Sequence, residues 1–237
     1  MEMRTPLILV NFKTEREAFG DGALRLASVC ESLSSIHGVN ICVAPHLLDL
    51  QNVGSRVKIP IFAQHFHPIG MGKATGHIPA ESLKLAGASG VIINHCEKPL
   101  PMNEIKERVE MAKAWGLTSI VCAANADVAA DVARFGPDFI SYESPEYIGS
   151  STASVSTAKP EILKKAISAV AKVSPGTKVL CGAGISTEDD MRKAMELGSC
   201  GILVSRAVMK AEDPAEVIGA FCKAIHESNC HVKTALH

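Results

Sequence analysis

Residues 178–206 read KVLCGAGISTEDDMRKAMELGSCGILVSR, and this stretch decides the fold. The run 178–181 is short and largely apolar on both pleat faces, as expected for a strand buried in a parallel sheet rather than a half-exposed one. Gly182-Ala183-Gly184 ends it with a tight turn. Thr187, followed by Glu188, Asp189 and Asp190, supplies a capping hydroxyl and first-turn acids, so a helix starts there, and Gly198 closes it. A second apolar run, 201–204, then returns as a strand. The stretch is a strand, a helix and a second strand parallel to the first, the right-handed crossover unit of α/β proteins.

The same unit repeats outward along the chain. Strand-like runs fall at 7–10, 41–44, 61–63, 90–93, 119–122, 139–142, 178–181 and 201–204, eight in all. Between them the spacing predicts helices over 16–35, 47–54, 80–86, 102–115, 127–135 and 161–173, and a last helix from Pro214 to about Ser228. In the helix 102–115, Ile105, Val109, Ala112 and Trp115 form the inward stripe, with Glu107, Arg108 and Lys113 turned largely to solvent. Eight alternating units with no linker favour a single (β/α)8 barrel over 1–229 rather than an open doubly wound sheet, followed by a loose tail, 230–237.

Composition narrows the function. Of 237 residues, 47% are hydrophobic and 21% charged, which excludes a disordered or fibrous chain. Lys plus Arg number 24 against 25 Asp plus Glu, without a basic block, so no nucleic-acid or anionic-membrane partner is expected. Aromatic residues are only 4%, too few for a base-stacking platform. The eight cysteines are widely scattered, as expected of reduced, packed thiols. Neither a signal peptide nor a membrane span is legible, so the expectation is a soluble cytoplasmic protein.

In a barrel of this kind chemistry sits at the C-terminal ends of the strands. Asn11 and Lys13 follow the first strand, His95 and Glu97 the fourth, and Glu143 the sixth. A cation, an imidazole and a carboxylate converging there are the parts for removing a proton beside a carbonyl and stabilising the enediolate, with no metal or cofactor. Gly182, Ala183 and Gly184 after the seventh strand, and Ser205 and Arg206 after the eighth, are candidate phosphate-binding positions. His46, His65, His67 and His77 lack the spacing of zinc ligands and are expected in loops or interfaces. Two other readings use the same parts: an aldolase-like barrel with Lys13 as Schiff base, and a phosphate-metabolite binder without turnover.

Taken together, Val10-Asn11-Phe12-Lys13, Asn94-His95-Cys96-Glu97 and Tyr142-Glu143-Ser144-Pro145-Glu146-Tyr147-Ile148-Gly149 resemble the triosephosphate isomerase family, in its shorter archaeal branch. Ala44-Pro45-His46, Ala63-Gln64-His65, Thr75-Gly76-His77, the stretch 155–161 and Cys181-Gly182-Ala183-Gly184 fall into the same pattern. The resemblance implies the TIM barrel, a triose phosphate substrate, Glu143 as base, His95 as electrophile and Lys13 as the cation beside substrate oxygens, oriented by Asn11. It also implies that Glu97 pairs with Lys13 and that 145–151 is a lid whose Gly149 donates to phosphate. The Thr75 loop would buttress a neighbouring subunit, in a homodimer or homotetramer. The chain departs from the pattern at Cys96, where serine is usual, at Ser144, where proline is usual, and at Ser205-Arg206-Ala207, where small residues are usual.

Overall fold

The strands are apolar on both faces because each is covered twice, once by the other strands and once by helices. The computed structural model describes residues 3–148 and 153–234. Its parallel strands are β1 (Leu7–Asn11), β2 (Asn40–Ala44), β3 (Phe62–Ala63), β4 (Gly90–Ile93), β5 (Thr118–Ala123), β6 (Phe139–Tyr142), β7 (Lys178–Cys181) and β8 (Gly201–Val204). They run in the order β2-β1-β8-β7-β6-β5-β4-β3. A parallel bridge between Val43 and Ile61, with the Val43 amide donating to the Pro60 carbonyl at 3.2 Å, joins the two ends. The sheet is therefore a (β/α)8 barrel, as the sequence predicts, and four strands match their expected bounds to the residue.

Alternation along the strands sorts the core into two layers. Leu7, Leu9, Cys42, Phe62, Ile92, Ile120, Phe139, Leu180 and Leu203 meet inside the barrel, one or more from every strand. Their neighbours Ile8, Val10, Val43, Val91, Val121, Ile140, Val179 and Ile202 face outward into the larger cluster under the helices. The interior is thus filled with side chains, and ligand space is confined to the rims.

The helices are α1 (Asp21–His37), α2 (Leu50–Gly54), α3 (Ala80–Leu85), α4 (Met102–Ala114), α5 (Ala126–Ala133), α6 (Val155–Ala158), α7 (Pro160–Val173), α8 (Glu188–Glu196), α9 (Arg206–Met209) and α10 (Pro214–Thr234). Four sequence expectations are corrected. The helix expected over 16–35 is a 3-10 turn, Arg16–Ala18, and a separate α1, because Phe19 is extended and Gly20 left-handed between them. Trp115 lies past the end of α4 and is 40% exposed. Arg108 is buried instead of solvated: its Nε donates to the Phe66 carbonyl at 3.1 Å and its Nη1 to Glu104 Oε2 at 2.9 Å. The segment expected to be a loose tail continues α10 as helical backbone to Thr234, and 235–237 lie outside the described residues. Among the described residues no helix is long and apolar enough to cross a membrane.

One buried carboxylate ties the sixth crossover to the seventh. Asp190, in the first turn of α8, completes a capping box with Thr187. It also accepts from Ser154 Oγ, from Thr157 Oγ1 at 3.0 Å, and from the Ser186 amide at 3.1 Å. Burial raises its pKa, but these donors outweigh burial and hold it below the ordinary 3.8. Its stabilisation is therefore complete above that value and is lost as pH falls through the depressed folded value. Asp190→Asn, which unpairs several buried donors, is expected to lower Tm by roughly 5–10 °C at neutral pH. Thermal melts along a pH series check this: the gap between the two proteins should narrow below pH 3.8. A gap that widens there would contradict the assignment.

Candidate active site

At the C-terminal rim, the ends of β1, β4, β6, β7 and β8 surround a small cleft. Lys13, His95, Glu143, Gly182, Gly184, Ser205 and Arg206 all line it. These residues come from positions as far apart as 13 and 206 in the sequence, and closure of the barrel brings them together.

Lys13 leaves β1 in a left-handed conformation, φ 49°, which non-glycine residues rarely adopt. Its amide donates to Asn11 Oδ1 at 2.9 Å, and its carbonyl accepts from Gln64 Nε2 at 2.9 Å. Asn11 is buried and stays beneath the cleft. The Lys13 ammonium lies 2.6 Å from Glu97 Oε1, so the expected pair is formed.

His95 follows a second left-handed residue, Asn94, φ 60°, whose side chain donates to the Cys122 carbonyl and accepts from the Leu100 amide. The Glu97 amide donates to His95 Nδ1 at 3.2 Å. That nitrogen is therefore the acceptor, and a neutral ring carries its proton on Nε2. Nε2 faces Glu143 Oε2 at 3.7 Å, beyond a direct hydrogen bond.

Glu143 is 3% exposed, and its Oε1 accepts from Ser141 Oγ at 3.0 Å. The carboxylate lies directly over the backbone of residue 182. A Cβ there would stand 2.6 Å from Glu143 Cγ and 2.3 Å from Ser141 Oγ, so only glycine fits. The negative field of Glu143 reaches the thiols around it: burial and then this charge push Cys122 well up, and the same two causes raise Cys96.

On the opposite side of the cleft, Ser205 Oγ is buried and has no hydrogen-bond partner among the described residues. Arg206 is exposed at the first position of α9. Ala183 is buried behind the rim, its carbonyl accepting from the Val155 amide at 3.2 Å. Thr75 is exposed and does not line the cleft. Gly149 lies outside the described residues.

Sequence reasoning did not single out Ser141, Gln64 or the cross-link at Asp190. Ser141 carried a signal, being the one polar residue in the apolar run 139–142, and so did the Thr187-x-x-Asp190 capping box. Gln64 stood only within the Ala63-Gln64-His65 piece of the family pattern, and nothing local marked its role, because its partners lie 51 and 20 residues away. The described cysteines are free, and most are buried. His65 and His67 pack ring to ring with centroids 4.9 Å apart, and burial, then Lys98 and Arg108, hold His65 down to about 4. Among the described residues, the one group of three with ligand atoms mutually within 4.8 Å is His95, Cys96 and Glu143.

Comparison with known proteins bears on the same rim and on the whole barrel. The triosephosphate isomerase family model matches residues 6–225. The chain is 45% identical over 212 residues to the triosephosphate isomerase of Methanosarcina barkeri, covering 90% of this chain and 95% of that protein. It is 43% identical over 216 residues to the triosephosphate isomerase of Methanothermus fervidus, covering 91% of this chain and 97% of the relative. A family match over residues 6–225 and near full-length similarity to these relatives lead to one conclusion: the chain belongs to the triosephosphate isomerase family.

Proposed function

We propose that this chain interconverts dihydroxyacetone phosphate and D-glyceraldehyde 3-phosphate through an enediolate, without metal or cofactor. The observation that carries this reading is the meeting of Lys13, His95 and Glu143 in one cleft, with the His95 Nε2 proton and the Glu143 carboxylate facing each other at 3.7 Å. Glu143 removes the proton from C1, and the electron pair moves to the C2 oxygen, where His95 Nε2–H stabilises it. A proton passes from the C1 hydroxyl to the C2 oxygen by way of His95 Nε2, and as Glu143 returns its proton to C2 the electron pair on the C1 oxygen closes the aldehyde carbonyl. Lys13 offsets the developing charge, and Asn11 fixes the backbone that aims it.

Ser205 supports a phosphate on the far side of the cleft. A buried hydroxyl without a partner needs an explanation, and an anion that accepts its proton supplies one. The Gly182–Gly184 loop, and Gly149 if the family pattern holds, would add backbone donors. An aldolase would instead use Lys13 as a Schiff base, and borohydride trapping with a keto-phosphate would leave a stable adduct only in that case. Free cysteines suit a reducing compartment, and the cytoplasm is the setting proposed here.

A coupled assay with glyceraldehyde 3-phosphate tests the activity itself, and binding without turnover would leave a metabolite-binding barrel. In that assay Glu143→Gln is expected to lower kcat by about 10²–10⁴ with a much smaller change in KM, because proton abstraction belongs to the transition state. A variant with near-parent kcat would remove Glu143 from the mechanism.

Arg206 acts at a distance in this reading, drawing the substrate dianion toward the rim while its side chain leaves the phosphate pocket. Arg206→Gly is expected to keep kcat, raise KM less than about tenfold and flatten the salt dependence of kcat/KM as the Debye length shrinks toward about 10 Å. A hundredfold loss of kcat would instead make Arg206 a direct contact.

The proposed assembly is a homodimer or homotetramer in which the exposed Thr75-Gly76-His77 loop seats on a neighbouring subunit. Light scattering at assay concentration should find no active monomer, and finding one would rule the assembly out.

A further inference from the structure

We propose that His95, Cys96 and Glu143 form a binding site for Zn2+, through which the ion withdraws the base and the electrophile from the reaction. This inference rests on the isomerase reading for its inhibitory consequence, although not for the binding itself. An imidazole nitrogen, a thiol sulfur and a carboxylate oxygen make up a borderline-soft donor set of the kind zinc selects. The three ligand atoms lie within 4.8 Å of one another, and His95 Nε2 and Glu143 Oε2 are 3.7 Å apart. Bonds of about 2.0–2.3 Å to a tetrahedral ion place ligand atoms roughly 3.3–3.8 Å apart, so the group closes by about 1.5 Å at most. The Cys96 side chain is exposed and has room to make that movement.

The hydrogen bonds leave the right atoms available. His95 Nδ1 accepts from the Glu97 amide and has Cys96 Sγ 3.8 Å away, whereas Nε2 faces Glu143, so Nε2 becomes the ligand nitrogen once the exposed thiol turns from the one ring nitrogen toward the other. Glu143 keeps its Oε1 on Ser141 and presents Oε2. Charge favours a cation as well. Lys13, the nearest positive group to the cluster, is balanced by Glu97 at 2.6 Å, so the Glu143 charge remains for the ion. The site binds zinc through the Cys96 thiolate, so binding exchanges a proton for the ion. A sulfur–metal bond replaces the sulfur–hydrogen bond, and the proton leaves to solvent. Cys96 and Glu143 also line a neighbouring open pocket, which gives the ion a route that bypasses the substrate cleft and room for water as a fourth ligand.

The test uses the intact enzyme freed of metal by dialysis against a chelator. Co2+ added as a spectroscopic substitute for Zn2+ should give a thiolate-to-metal charge-transfer band, absent from Cys96→Ser. Calorimetric titration with Zn2+ should find one such site per chain, weakened ~10-fold or more by Cys96→Ser and likewise by Glu143→Gln. Zn2+ should inhibit the parent reversibly, chelator restoring the rate, and each protein's sensitivity is read against its own metal-free rate. A thiolate band or an unchanged Zn2+ affinity in Cys96→Ser would overturn the site, because another thiol would then be the ligand. Metal-free enzyme inactive on glyceraldehyde 3-phosphate would sink the isomerase reading and leave the Co2+ band to decide the metal site separately.

Discussion

β1 can lie against β8 only because residue 201 has no side chain. A Cβ at Gly201 would stand 2.0 Å from the Leu7 carbonyl oxygen and 2.7 Å from its nitrogen, at a φ of 140°. With that approach allowed, Leu7 pairs with Gly201 on one side and with Asn40 on the other, so β1 sits between β2 and β8. The same register places Lys13 just past the end of β1 and Ser205 just past the end of β8, facing one cleft. A side chain at 201 would push the two strands apart and part Lys13 from Ser205. The site thus depends on a contact at the far end of the barrel from the chemistry.

The parts legible in the sequence were those fixed by continuous burial. Val91, Ile92 and Ile93 are all buried, so the run is apolar without alternation, and its bounds as a strand could be read directly. Glu143 and His95 were legible because charged or titratable residues directly after such runs are rare in a packed rim. What the sequence left hidden was long-range polar pairing. Arg108 has the periodicity of a solvent-facing residue and a partner at i−4 in Glu104, yet its Nε reaches a carbonyl 42 residues away. Nothing local marks that acceptor. The break between the 3-10 turn and α1 was hidden for a related reason: Arg16, Glu17 and Ala18 suit a helix by propensity, and the tertiary placement of Phe19 ends it.

Among the described residues, the two non-glycine residues with left-handed backbone are Lys13 and Asn94, the first in the site and the second directly before His95. Such conformations are disfavoured and persist where the surroundings hold them. Each here is held from both sides, Lys13 by Asn11 and Gln64, Asn94 by the Cys122 carbonyl and the Leu100 amide. The cation and the imidazole are therefore aimed by backbone and second-layer hydrogen bonds. Their own side chains remain free to meet a ligand, apart from the solvent-facing Glu97, whose surface pairing is weak enough to yield.

Two of the departures from the family pattern, Ser144 and Cys96, lie beside hydrogen bonds that hold the same rim. Ser144 lacks the rigidity of proline, but it is 6% exposed and its carbonyl accepts from the Tyr147 amide at 3.0 Å. Pro145 then occupies the position in that turn where proline is favoured. At Cys96 the hydroxyl usual in the family is missing, and the carboxylate of Glu143 instead receives one from Ser141, buried two residues earlier on the same strand. A donor on β6 moves with the base and is fixed by the barrel, whereas a donor on the loop after β4 is fixed only by that loop.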